Sequence, residues 1–273
     1  MSGGSTAALM ALLRQNHIDE ESNEVPPKKK IRREPKAPNF DNPTEIVTFL
    51  IGEEGEEEKF LVHKEFACAY SPVLKAAFNS AFIESQTQTF RMRDVPTKIF
   101  RMLLKWFYTQ RIEKLDLADI DDSTRGELAE EHNLNLVHLW VIADELLIHR
   151  LQNMVITAIE DFRKSNSSLK TTKWFPFVYQ NTLDNSPLRH LVVDTCLYEY
   201  NFQNDEGPHL VEQRPDDFPQ QLLLDVFKET TKAVKVARVH NNWYNYPPPN
   251  PDARPWYICD RNWRDHMVEE NPQ

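Results

Sequence analysis

The stretch Phe60–Tyr108, FLVHKEFACAYSPVLKAAFNSAFIESQTQTFRMRDVPTKIFRMLLKWFY, restricts the possible fold more than any other part of the chain. Its apolar period changes four times. Phe60-Leu61-Val62 is a short β-type run. From Phe66 to Phe78 apolar residues recur at helical spacing, around a Ser71-Pro72 start signal. Phe90-Arg91-Met92-Arg93 alternates, as a half-buried strand does. Ile99, Phe100, Leu103, Trp106 and Phe107 then form one broad helical stripe. A strand, two helices, a strand and a third helix in about fifty residues make a compact α+β unit, not a loop scaffold for catalysis.

Certain residues in this stretch follow one another in a familiar order. Val62-His63-Lys64 ends a strand. Tyr70-Ser71-Pro72-Val73-Leu74, Phe78, Phe82-Ile83-Glu84-Ser85, Asp94-Val95-Pro96, Phe100 and Trp106-Phe107-Tyr108-Thr109 come after it. Their order and spacing resemble the BTB (POZ) domain. Leu139-Trp140-Val141-Ile142-Ala143-Asp144 and Leu151-Gln152-Asn153 resemble the paired helices that close that domain. The resemblance covers roughly residues 42–163, under half of the chain. It implies a BTB/POZ fold, a small sheet flanked by a cluster of helices, and a non-enzymatic protein-interaction module. Protein partners, self-association included, are what such a module takes.

The resemblance also implies a candidate site. Cullin-binding members of the family carry a hydrophobic-x-Glu motif just after the helix that here ends in Phe78, and Phe82-Ile83-Glu84 matches it. In a substrate adaptor for a cullin-type ubiquitin ligase, Phe82 fills an apolar pocket of the scaffold and Glu84 meets it by charge or hydrogen bond. The other reading makes Phe82 core and Glu84 surface. A nuclear scaffold or transcription-associated regulator with no ubiquitin-ligase role is the alternative function. Family dimers often use a helix just before the first strand. The Pro-rich stretch Lys36–Pro43 does not supply one.

Charge is unevenly placed. The chain carries −10 in total, but residues 1–39 hold 7 Lys/Arg against 5 Asp/Glu and the rest 25 against 37. The acidic body argues against direct DNA binding. Residues 1–41 read as a flexible tail, with a short apolar-faced stretch at Thr6–Gln15. The tail also holds Lys28, Lys29, Lys30, Arg32 and Arg33, preceded by two prolines. Proline keeps such a run extended, so its long side chains can enter acidic pockets of an import receptor. Nuclear location, with cytoplasm also open, is the expectation; the bland reading is a solvated charge run.

The remaining chain is read locally. Thr44–Ile51 is a strand with apolar residues on both faces, hence expected to be covered on both. Gly52–Glu58 is an acidic hairpin turn with a solvated tip. His63 is a structural hydrogen-bonding residue, since no His or Cys sits near it at ligand spacing. Asp116–His132 departs from the family pattern as a polar insertion, either carrying a short helix near Glu127 or without order. Asn133–Leu147 and Arg150–Phe162 read as helices broken near His149. Residues 164–172 read as a linker, opening a helical extension over 164–240. Trp174–Asn181, Pro187–Tyr200 and Pro219–Arg238 follow, with Gly207–Pro219 as a loop. Residues 241–273 form a segment dense in Pro, Trp and Tyr.

No catalytic residue, cofactor-binding residue or metal ligand is written in the sequence. Six glycines, none in a phosphate-binding pattern, supply no P-loop and no dinucleotide fingerprint. There is no Gly-x-Ser-x-Gly elbow, no His-Glu-x-x-His and no paired Cys-x-x-Cys. The three cysteines are odd in number and far apart, which implies a reducing compartment. No apolar run has the length of a membrane helix. The first residues lack the basic-then-apolar order of a secretion signal.

Overall fold

The computed structural model describes residues 38–200, 206–239 and 267–268. The stretch Thr6–Gln15, the basic run from Lys28 to Arg33 and nearly all of 241–273 lie outside the described residues. Contacts divide the chain into two units. The first takes the described residues up to Glu113 together with His138–Gln152. The second takes Lys114–Val137 and the described residues from Asn153 to Val268.

The first unit has the expected α+β form. Strands β1 (Ile46–Ile51) and β2 (Glu58–His63) make an antiparallel hairpin. Strand β3 (Thr89–Met92) lies parallel to β1, so the order is β2-β1-β3. The register sets Val47 opposite Val62, Phe49 between Phe60 and Phe90, and Ile51 opposite Met92. All seven side chains share one sheet face and are buried. The expectation that β1 is covered on both faces is corrected, because Thr48 and Leu50 are half-buried and Ile46 is exposed. An unbroken apolar run hides which alternate set faces the core. The neighbours decide it, since β2 and β3 turn Lys59 and Arg91 outward on the Leu50 side.

Gly52 (φ +109°) and Gly55 (φ +98°) take the backbone angles that the turn between β1 and β2 requires. The glutamates at its tip are not simply solvated. Arg91 pairs with Glu57, Arg93 with Glu54 at 3.0 Å, and Arg101 with Glu58. Glu57 also accepts the Gly55 N–H, the largest influence holding its carboxyl below the usual range. Such exposed pairs add little stability, but they orient the turn.

Helices α1 (Lys64–Tyr70) and α2 (Pro72–Asn79) meet at Ser71. The Ser71 hydroxyl oxygen accepts the Leu74 N–H at 3.1 Å, and Pro72 opens the helix. The same hydroxyl donates to the Leu146 carbonyl at 2.7 Å. Val73, Leu74, Ala77 and Phe78 of α2 are buried. Each large one contributes on the order of 1.5–3 kcal/mol. A five-residue helix, α3 (Ile83–Thr87), leads into β3. Helix α4 (Thr97–Thr109) buries Ile99, Phe100, Leu103, Trp106 and Phe107, the stripe read from the sequence. The Phe100 ring lies 5.1 Å from Phe49 and 4.9 Å from Phe60.

The polar stretch Asp116–His132 is neither a short helical patch nor unordered. One helix, α5, runs from Asp122 to Glu145. Asp121 caps it, its carboxylate accepting the N–H groups of Ser123 at 3.0 Å and Thr124 at 3.2 Å. The Ser123 and Thr124 hydroxyls first, and those N–H groups after them, pull its carboxyl down to about 2. The chain breaks at Leu146–Ile148, with Leu147 at φ +53°, and α6 (His149–Ser165) follows.

In the second unit, Leu117, Ala129 and Phe162 form a core, with Leu115, Ile120, Leu128 and Leu169 packed on it. Residues 164–172, read as a linker, end in buried Thr171 and Thr172. Glu130 of α5 explains this. Its carboxylate accepts the Thr172 N–H at 3.0 and 3.1 Å, the Lys173 N–H at 3.0 Å and Arg214 Nη1 at 3.1 Å. Helices α7 (Phe175–Asn181) and α8 (Pro187–Asp194) follow, and α8 passes into a π turn, Thr195–Glu199. Arg189 of α8 stacks on Tyr179 and donates to the carbonyls of Tyr179 and Thr182, closing the end of α7. The loop expected over Gly207–Pro219 is instead helix α9 (Glu206–Gln213) and a 3₁₀ turn, Pro215–Asp217. Gly and Pro mark a loop only in the absence of an anchor, and here Leu210 is buried. Helix α10 (Gln220–Val239) completes the unit.

Candidate protein-interaction surface

The Phe82-Ile83-Glu84 motif sits where α2 gives way to β3. Ser80 ends α2, and its hydroxyl accepts the Phe82 N–H at 3.3 Å. Phe82 is extended (φ −71°, ψ 163°), and its carbonyl accepts the N–H groups of Ser85 and Gln86. Gln88 ends the helix in a left-handed conformation. Its side-chain amide donates to the carbonyls of Phe78 at 3.2 Å and Ser85 at 2.6 Å, which pins α3 to the end of α2. So short a helix is held by these caps and by its packing on α2 and β3, not by its own length.

This arrangement turns two apolar side chains outward. Phe82 is 37% exposed and Ile83 is 54% exposed, while Glu84 is 7% exposed. Glu84 Oε2 is buried with no hydrogen-bond partner among the described residues. Both sequence readings gave Glu84 a surface position, against a partner or in solvent; the structure folds it under α3. Adjacent exposed Phe and Ile form a patch suited to insertion into an apolar groove.

A second feature of the first unit was not legible beforehand. Phe40, in the stretch read as tail, packs its ring 5.2 Å edge-on from His63 and 4.7 Å from Phe66. Tyr108 closes the cluster at 4.7 Å from Phe66. The Tyr108 hydroxyl oxygen accepts the His63 N–H at 3.1 Å and lies 2.8 Å from His63 Nδ1. His63 is therefore the structural hydrogen-bonding residue expected of it. Phe40 takes φ +62°, a conformation a bulky side chain rarely adopts, and the aromatic packing holds it there. No helix lies between residue 38 and β1.

Among the described residues, no group of three His, Cys, Asp or Glu side chains is placed to hold a metal ion. No helix there is long and apolar enough to cross a membrane. Cys68 and Cys196 are free thiols, and burial pushes both up. A cavity of about 10 Å³ among Asn133, Phe162, Trp174 and Tyr200 has room for one water at most. The import-type residues Lys28, Lys29, Lys30, Arg32 and Arg33 lie outside the described residues.

Comparison with known proteins places this geometry. The family model described as BTB/POZ domain matches residues 47–162. BTB/POZ and MATH domain-containing protein 5 of Arabidopsis thaliana is 31% identical over 96 residues, which cover 35% of this chain and 23% of that protein. The aligned stretch is thus well under half the length of either chain.

Proposed function

Residues 47–162 form a BTB/POZ domain, a protein–protein interaction module, and from that premise we propose that the protein is a non-enzymatic adaptor that offers Phe82 and Ile83 to a cullin-type scaffold. The observation that carries this reading is the outward placement of two adjacent apolar side chains at the hydrophobic-x-Glu position. An apolar pair held by capping bonds costs little entropy to dock, so it suits an anchor role. The burial of Glu84 moves the contact onto Phe82 and Ile83.

Binding is tested by capture of a purified cullin. Phe82→Ala together with Ile83→Ala is expected to abolish capture. The melting temperature should stay near that of the wild type, because substitution of exposed residues usually changes stability by within about 0.5 kcal/mol. Wild-type protein that captures no cullin at micromolar concentration removes the adaptor role. The alternative, a nuclear scaffold or transcription-associated regulator without that role, then stands.

We place the protein in the nucleus on the strength of the basic run. Lys28→Ala, Lys29→Ala, Arg32→Ala and Arg33→Ala combined are expected to move a fusion too large for passive entry into the cytoplasm. Nuclear signal equal to that of the unsubstituted fusion would reject import through this run.

A further inference from the structure

The small cavity of the second unit borders a polar atom that the surrounding side chains do not serve. Asn133, on α5, lines the cavity and is 3% exposed. Its Nδ2 donates to the Thr171 hydroxyl oxygen at 2.7 Å, but its Oδ1 has no hydrogen-bond partner among the described residues. Turning the amide over exchanges an unpaired acceptor for an unpaired donor, so the deficit does not depend on which end is which.

The donors around this space are committed elsewhere. Arg163 gives Nη2 to Glu160 at 2.8 Å and Nη1 to Glu199 at 2.5 Å. The Thr195 hydroxyl donates to the Leu191 carbonyl at 2.8 Å, and the Tyr200 hydroxyl to the Thr171 carbonyl at 2.7 Å. The Thr171 hydroxyl differs, because its oxygen accepts from Asn133 and its own proton is available to donate. Asn133 and Thr171 therefore present an acceptor and a donor to one space of about 10 Å³. That is about the volume one water needs, and two polar partners are enough to keep it there.

The π turn frames the same space. The Thr195 carbonyl accepts the Tyr200 N–H at 3.0 Å, a step of five residues where an α-helix takes four. Both residues line the cavity. Asn133 falls within the matched residues 47–162, while Thr171, Thr195 and Tyr200 lie beyond them. The space thus sits on the seam, inside the second unit, between α5 of the BTB/POZ domain and the helical extension.

We propose that this seam binds one buried water, which donates to Asn133 Oδ1 and accepts from the Thr171 hydroxyl. The water is a structural ligand. It completes the polar contacts of Asn133 next to the Glu130 carboxylate, which holds the N–H groups of Thr172 and Lys173. Bridge and carboxylate together fasten the start of the extension to α5.

A crystal structure of the full-length protein, at a resolution that places waters, tests this. A single peak is expected within about 3.2 Å of both Asn133 Oδ1 and Thr171 Oγ1. A cavity without that peak overturns the proposal, and the wild-type protein alone decides this. Asn133→Leu keeps the branched shape and deletes the acceptor, so the peak should be lost. Thr171→Ser keeps the hydroxyl and should retain it. A water that persists in Asn133→Leu overturns the assignment of Asn133 as its acceptor.

Discussion

Trp106→Ala is expected to unfold the first unit at or near physiological temperature. Trp106 is fully buried, in the stripe that α4 presents with Ile99, Phe100, Leu103 and Phe107. Tyr70 of α1 meets its ring edge-on at 5.2 Å, and Phe107 packs beside it at 6.0 Å. Truncation leaves a cavity that α1 and α4 cannot close without moving together. Such a change costs about 3–5 kcal/mol, against a total of about 5–15 kcal/mol for a whole domain. In a unit of this size each kcal/mol shifts the melting temperature by roughly 4–8 °C, so a fall of at least about 12 °C should be seen. Leu61→Ala is the control. Leu61 is equally apolar in the sequence but is 63% exposed on β2, and its loss should cost about 0.5 kcal/mol or less. Calorimetry of both variants checks the pair. Equal melting temperatures would mean that α4 does not carry the core.

The contrast between Trp106 and Leu61 shows what could be read in advance. Thirteen residues of α4 cover more than three turns, long enough for the 3.6-residue period to fix which side faces in. Ser71-Pro72 was legible for a different reason, because a cap is local chemistry and its acceptor role toward Leu74 lies within one turn. The second bond of the same hydroxyl, to Leu146, is 75 residues distant and leaves no local trace. Helix α5 was misread because its two ends serve different units. Ala129, Glu130 and Asn133 are buried in one, Leu139, Trp140 and Ala143 in the other, and the first set has no large apolar side chain to mark its buried face. The polar half therefore looked like an insertion.

The candidate site was legible in position but not in orientation. The order of Phe78, Phe82 and Glu84 located the motif. Five residues of α3 are too few for periodicity to decide which of Phe82, Ile83 and Glu84 points outward. Burial of the carboxylate and exposure of its two apolar neighbours is the reverse of what hydropathy alone suggests.

Glu130→Ala should have the second large effect, and its pH dependence separates two causes. The Glu130 side chain is buried and accepts the Thr172 and Lys173 N–H groups and Arg214 Nη1. Removal strands a buried backbone donor at Thr172 and releases Arg214. Each buried donor left unpaired costs about 1–3 kcal/mol, so a loss of about 2–4 kcal/mol from the second unit is expected. Glutamine is no substitute, since either orientation of its amide sets an NH₂ group against an N–H donor. Burial is the strongest influence on this carboxyl and raises it above its ordinary 4.5, while the Thr172 and Lys173 N–H groups and Arg214 pull the other way. A carboxyl raised in the folded state holds its proton more tightly there than in the unfolded chain. Its stabilisation is thus fully present below 4.5 and lost as pH rises through the raised value. The stability gap between wild type and Glu130→Ala should therefore narrow in urea titrations as pH rises above the ordinary 4.5. A gap that widens over that range would show that the amide and Arg214 bonds outweigh burial, with the carboxylate held in its charged form.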